Sequence, residues 1–413
     1  MDRRVVITGI SSITPAGFNP EEMWQNIAVG KCYIRKISRF DAGLYPSRFA
    51  GEIDGFDPER YISFRQLKKM DRFSHLTIAA VAMLLEDSRL EIDDTNREQL
   101  GLAFGNVLGG WEFAEVELRN LYTKGPGDIS PYQATAWFPA APQGHVSIRF
   151  GIKGFAKTYV ADRASSSIAI GHAYRMIREG FQTMMIAGGV ESPLSPYGFL
   201  CCCTSGVLSP AIRSNGYQPF GRERDGHFIA EGAALILLEE LEHALARGAK
   251  IYGEVAGFET NNDGGPWQVP QDDDRLLADA IRCVLAESNL TLEEIGLIMA
   301  EGAGTLQDDR KEAKAISNVF GLRTEPVPVT VPKSWFGHTY GAASAVDLVL
   351  GLVSMKKNQI LPTVTVNPDP DCNVTLVSGL LPGTIESFLV LTQGRGGLNS
   401  VIAIKNFKKE RGV

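Results

Sequence analysis

The chain has no apolar run of transmembrane length, and the segment Val5 to Ile13 is too short and too broken to act as a secretory leader. It is therefore expected to be cytoplasmic, with that segment read as a strand. It also lacks the repeated Cys-x-x-Cys spacing of a zinc site: its six cysteines are scattered as Cys32, Cys201, Cys202, Cys203, Cys283 and Cys372. No metal is expected, and the thiols should stay reduced. The triplet Cys201 to Cys203 follows Phe199 and Leu200, where free cysteines act as small buried hydrophobes. No basic stripe with interleaved aromatics is present, and the formal net charge is -7, so nucleic acid is not an expected partner. Arg35 to Arg39, Arg65 to Arg72 and Lys405 to Arg411 are short basic clusters that read as solvated faces. Any acidic partner protein would have to dock on a local patch of that kind.

What the chain does have is ample core. At 413 residues and 44% hydrophobic it suits two domain-sized units or one large duplicated fold. Strand patterns (Arg4 to Gly9, Gln99 to Gly105, Thr183 to Gly189) alternate with helix patterns (Pro20 to Val29, His75 to Ser88, Ser167 to Glu179), which predicts an α/β protein. The alternation restarts at Ile251, with a helix from Asp273 to Asn289, a strand from Ile295 to Ala300 and a helix from Arg310 to Phe320. A helix-like stretch around Leu237 to Ile251 leads into that restart. Two halves, 1–250 and 251–413, are expected.

The chemistry-bearing segment is Val160 to His172. A strand pattern, Thr158 to Ala161, runs through a tight turn into Ala164-Ser165-Ser166-Ser167 and an apolar helix, the geometry that presents a nucleophile at a helix N-terminus. Alone, such a serine-rich turn is an ordinary helix cap. Four other segments decide the reading: Ala300-Glu301-Gly302-Ala303-Gly304-Thr305; Lys333-Ser334-Trp335-Phe336-Gly337-His338 running on to Gly341-Ala342-Ala343; Gln393-Gly394-Arg395-Gly396-Gly397-Leu398-Asn399; and Pro219-Phe220 with Asp225-Gly226 to Glu231-Gly232-Ala233. With Ala187-Gly188-Gly189 ending a strand, the set resembles the β-ketoacyl synthases of the thiolase superfamily. That resemblance implies a thiolase-like five-layered αβαβα fold built from two pseudo-equivalent halves, with no cofactor.

In that family a cysteine takes the acyl chain, two histidines support decarboxylation of a malonyl extender, and backbone amides hold the oxyanion. By the resemblance, Ala164 stands in the cysteine slot and Glu301 in the first histidine slot, where a carboxylate would repel the malonyl carboxylate. His338 and Lys333 are retained. Gly394, Arg395 and Gly396 are the remnant of the oxyanion loop, with both flanking aromatics replaced. No catalytic residue is expected, because the losses lie in three separate segments.

The stretch from Gly109 to Gly154 further resembles chain length factors, the β-subunits of type II polyketide ketosynthases. This implies a non-catalytic subunit that pairs with a catalytic ketosynthase α-subunit and shapes an interface tunnel for a chain extended from malonyl-loaded acyl carrier protein. Leu108, Trp111, Phe113, Tyr132, Trp137 and Phe138 are the tunnel candidates, with core packing the competing role for each aromatic. The extended chain is left open between an aromatic polyketide and a polyene. Two alternatives remain at this stage: a residual malonyl decarboxylase or acyltransferase using His338, Lys333 or Ser165, and a homodimeric scaffold.

Overall fold

The computed structural model describes residues 3–265 and 273–408; the end of the last basic cluster lies outside them. One five-strand pattern occurs twice. In the first half, β1 (Val5–Ile13), β2 (Leu100–Gly105), β3 (Ala156–Tyr159), β4 (Met184–Glu191) and β5 (Gly232–Glu240) lie in the order β1-β5-β4-β2-β3. In the second, β6 (Gly253–Asn262), β7 (Ile295–Met299), β8 (Pro328–Thr330), β9 (Ser387–Gly394) and β10 (Leu398–Lys405) lie in the order β6-β10-β9-β7-β8. Counting outward from β1 and from β6, each half pairs antiparallel twice and then parallel twice. The halves join where β1 and β6 pair antiparallel over Val5 to Ile7.

Beside the helix Pro20–Ala28 and the short helices Phe64–Leu67 and Leu241–Ala246, the helices are α1 (Arg72–Ser88), α2 (Trp111–Lys124), α3 (Gln133–Trp137), α4 (Ala141–Phe150), α5 (Ser165–Arg178), α6 (Pro196–Thr204), α7 (Arg275–Ser288), α8 (Leu306–Phe320) and α9 (Ala343–Lys357). α1 and α4 cover the outer face of the first half-sheet, α7 and α8 that of the second, and α5 and α9 lie between. This is the thiolase-like αβαβα arrangement expected from the motifs.

Strand alternation sorts the apolar residues among these layers. In β5, Ala233, Leu235 and Leu237 pack outward with α1, whereas Ala234, Ile236 and Leu238 pack inward on the central helices. β10 does the same: Val401 and Ala403 face α7, and Ile402 and Ile404 face the centre. Both faces of each half-sheet are therefore buried, and the strands read as continuous apolar runs. The central helices sit close on the strands because they carry glycine where Phe258 of β6 and Phe388 of β9 face them. A Cβ on Gly171 would lie 2.3 Å from the Phe258 ring, and one on Gly351 would lie 2.4 Å from the Phe388 ring.

Three local expectations are corrected. The strand placed at Thr158 to Ala161 is β3, ending at Tyr159. The helix-like stretch near Leu237 to Ile251 forms helix only over Leu241–Ala246. Glu239 and Glu240 belong to β5, where pairing with β1 and β4 outweighs their helical preference, and Gly248 adopts φ +68° just beyond the helix. Of the cysteine triplet, Cys202 and Cys203 are buried as expected, but Cys201 is exposed. No helix among the described residues is long and apolar enough to cross a membrane.

The glycine contacts are directly testable. Gly351→Ala is expected to cost about 1–3 kcal/mol by overpacking, seen as a lower urea midpoint at unchanged slope. An unchanged midpoint would contradict the close-approach role.

Candidate functional site

The turn between β3 and α5 is an elbow with Asp162 at φ +49°, a left-handed conformation that brings the chain sharply round into the helix. Its three serines hold this turn and dock α5. The Ser165 hydroxyl donates to the Asp162 carbonyl at 2.6 Å and accepts the Ala161 amide at 2.9 Å. Ser166 accepts the Ala345 amide in the first turn of α9 at 3.2 Å, and the Ser167 and Ser400 hydroxyls bond at 2.6 Å. With its proton committed to a carbonyl and no base within the bonds it makes, Ser165 is not an activated nucleophile.

Ala164 is fully buried at the N-cap of α5; its amide donates to the Ala161 carbonyl at 3.1 Å. The side chain that reaches the rest of the site belongs to its neighbour. Arg163 sets its Nε 3.4 Å from Glu301 Oε1 and its Nη2 3.5 Å from Asp308 Oδ2. The register read from the motif is therefore moved by one residue: Arg163, not Ala164, projects from the elbow toward the two histidine slots. Ala164 was expected in the cysteine slot, whereas the side chain directed into the cluster is the buried Arg163 cation.

Glu301 Oε1 also lies 2.9 Å from His338 Nε2. His338 Nδ1 accepts the Tyr340 amide at 3.0 Å, so its proton resides on Nε2 and is donated to Glu301. Burial lowers the His338 pKa against the pull of Glu301, keeping the ring neutral. Burial opposes ionisation of Glu301, but the hydrogen bond from His338 and the Arg163 guanidinium outweigh it and hold the carboxyl below its usual range. The outcome is a dry cluster of guanidinium, carboxylate and neutral imidazole, in which the imidazole N–H is already spent.

The surrounding polar groups hold loops. Lys333 Nζ donates to the Ala300 carbonyl at 2.9 Å and pairs with Asp347 of α9. Glu312 accepts the Glu301 and Gly302 amides at 2.8 and 2.9 Å, and burial drives its carboxyl up to about 8. In the glycine turn after β9, the Arg395 amide donates to Asp162 Oδ2 at 2.7 Å, while its guanidinium contacts the Ser205 carbonyl. Gly394 and Gly396, the other two residues expected of an oxyanion loop, flank Arg395. Its amide is occupied by a carboxylate, which would repel an oxyanion.

The tunnel candidates fall into three groups. Leu108 packs into an apolar cluster with Phe199, Cys202, Cys203 and Tyr340, and the Tyr340 ring lies 5.5 Å from His338. Trp111, Trp137 and Phe138 form one aromatic chain, with centroids 6.2 and 5.6 Å apart; Phe113, half-buried, gives its amide to Asp71 at 2.8 Å. Tyr132 stands apart, with the Lys69 ammonium 4.7 Å above its ring. Sequence reasoning missed Arg163 and Tyr197, whose ring is 4.9 Å from Trp111. An arginine inside an otherwise small and apolar elbow was the available signal for the first; Tyr197 carried none. It also missed His227, stacked 4.8 Å from His338, whereas His172 faces Tyr159.

Two consequences can be measured. Arg163→Ala leaves Glu301 buried without its cation and is expected to cost about 3–5 kcal/mol, read by denaturant unfolding. Glu312 titrates near 8 folded and at about 4.3 unfolded. Its contribution is thus full below pH ~4.3 and is lost as pH rises toward 8. Glu312→Gln should flatten the fall in stability over that interval; an unchanged pH slope would contradict it.

The family model described as beta-ketoacyl synthase, N-terminal domain, matches residues 2–244, and its C-terminal domain model matches 252–367. The actinorhodin polyketide beta-ketoacyl synthase 2 of Streptomyces coelicolor is 35% identical over 408 residues, 98% of each chain. The 3-oxoacyl-[acyl-carrier-protein] synthase 2 of Synechocystis is 33% identical over 98% of this chain and 99% of its own. Among solved structures, the ishigamide ketosynthase/chain length factor superposes with a TM-score of 0.91 at 28% identity, covering 99% of this chain and 100% of that one. A type II polyketide ketosynthase in complex with its acyl-carrier protein gives 0.89 at 28% identity, with the same coverage of each chain.

Proposed function

The chain belongs to the beta-ketoacyl synthase family, and within it we propose a non-catalytic, chain-length-determining subunit of a heterodimeric type II polyketide ketosynthase. The observation that carries this reading is the Arg163, Glu301 and His338 cluster. Condensation needs a nucleophile at the elbow and two imidazoles free to donate to a thioester carbonyl. Here the elbow projects a guanidinium, one imidazole slot holds a carboxylate, and the remaining imidazole gives its proton to that carboxylate at 2.9 Å. The same bonds count against a residual decarboxylase using His338 or Lys333.

A partner subunit is supported by what the chain leaves uncovered. β3 is an edge strand, with Ala156 and Lys157 exposed, and an open edge invites pairing. Next to the elbow Val160 is 58% exposed, and the aromatic group around Trp111 leaves Phe138 56% and Tyr197 50% exposed. Exposed aromatics in mutual contact mark an interaction face. In the proposed complex, the ketosynthase α-subunit covers this face and extends its acyl chain along it. Trp111, Phe113 and Trp137 then close the tunnel end, and malonyl groups arrive on acyl carrier protein.

The reading is tested with malonyl-loaded acyl carrier protein. This chain alone is expected to form no carbon–carbon bond and release no carbon dioxide, and to support chain elongation once a catalytic ketosynthase subunit is added. Condensation or decarboxylation by the isolated chain would overturn it.

A further inference from the structure

α2, which carries Trp111 and Phe113, is held almost without apolar burial: among its residues only Ala114 and Glu117 are buried. Carboxylates fasten it instead. Asp71, at the N-cap of α1, also takes the Phe113 amide in the first turn of α2. Glu112 pairs with Arg39 at 2.6 Å, and Glu117 takes the Ser130 amide at 2.6 Å. Glu115 differs from these, because it fixes the opposite wall. Its Oε1 accepts the Tyr197 and Gly198 amides at 2.7 and 3.1 Å, the second and third residues of α6.

Trp111 and Glu115 are four residues apart on one helical face, so α2 grips the start of α6 at two adjacent points. The Trp111 ring meets the Tyr197 ring at 4.9 Å, and the Glu115 carboxylate holds the amide of the same tyrosine. Contact is tight: a Cβ on Gly198 would lie 3.2 Å from Trp111 Cβ. The carboxylate also neutralises the positive end of α6. Of the two amides, Gly198 has a second acceptor in Ser195 Oγ at 3.2 Å, whereas Glu115 is the side-chain acceptor of the Tyr197 amide.

We propose that Glu115 is a positioning residue for chain length: by fixing the first turn of α6 against α2, it holds Tyr197 on Trp111 and keeps the tunnel end closed. This rests on the chain-length reading above. Without the carboxylate, the Tyr197 amide turns to water, the first turn of α6 moves off Trp111, and a longer chain fits. The side chain touches no reacting atom; it acts through Tyr197.

The test is product length, read by mass spectrometry from the complex of this chain with its ketosynthase subunit on malonyl-loaded acyl carrier protein. Glu115→Ala is expected to add products at least one two-carbon unit longer than those of the unaltered complex. Glu115→Gln, which keeps an acceptor oxygen at the same reach, is expected to restore the original lengths. Should Glu115→Ala not fold, Glu115→Asp, shorter by one methylene, replaces it in the same comparison. Trp111→Ala is the control on the tunnel itself. Original lengths from Glu115→Ala alongside longer products from Trp111→Ala overturn the proposal and leave the chain-length reading standing. Original lengths from both overturn the two together.

Discussion

A buried guanidinium holds the centre of this molecule together. Arg163 comes from the elbow of the first half, while Glu301, Asp308 and His338 come from the second. A charge in that position is tolerated only with opposite charge and hydrogen bonds around it, since an isolated buried ion costs several kcal/mol or more. The cluster therefore ties the halves where α5 and α9 meet, and the serines of the elbow extend the tie to Ser400 and to Ala345. Loss of Arg163 leaves Glu301 buried without the cation it pairs with.

The same constraint explains how the motif segments keep their shapes. The elbow is bonded both to the glycine turn after β9 and, through Arg163, to the loop at Glu301. Asp162 bonds the Arg395 amide, and Glu312 holds the Glu301 and Gly302 amides. Groups that could have faced a substrate face one another. The retained Lys333 and His338 follow that rule, serving a carbonyl and a carboxylate.

Away from the centre the physics changes. The cores between the layers are sealed by strand alternation and by glycine at the closest helix contacts, whereas α2 and α6 are set by capping carboxylates and leave aromatic rings uncovered. A region held by polar caps has its backbone bonded while its aromatic side chains stay exposed, as at Phe138 and Tyr197.

The sequence by itself determined the family, the α/β layering and the repeated order of elements, because periodicity and glycine spacing are local properties that survive in any neighbourhood. It also singled out Glu301 and Arg395 as residues of the motif segments. The tertiary structure decided which side chain projects from the elbow, since a tight turn with Asp162 at positive φ rotates Arg163, rather than Ala164, toward Glu301 and His338. It likewise decided the tautomer of His338, the separation of Tyr132 from the other aromatics and the contact of Tyr197 with Trp111. Each of these depends on which distant segment supplies the partner, and no local pattern encodes a hydrogen bond across 37 positions such as that between His338 and Glu301.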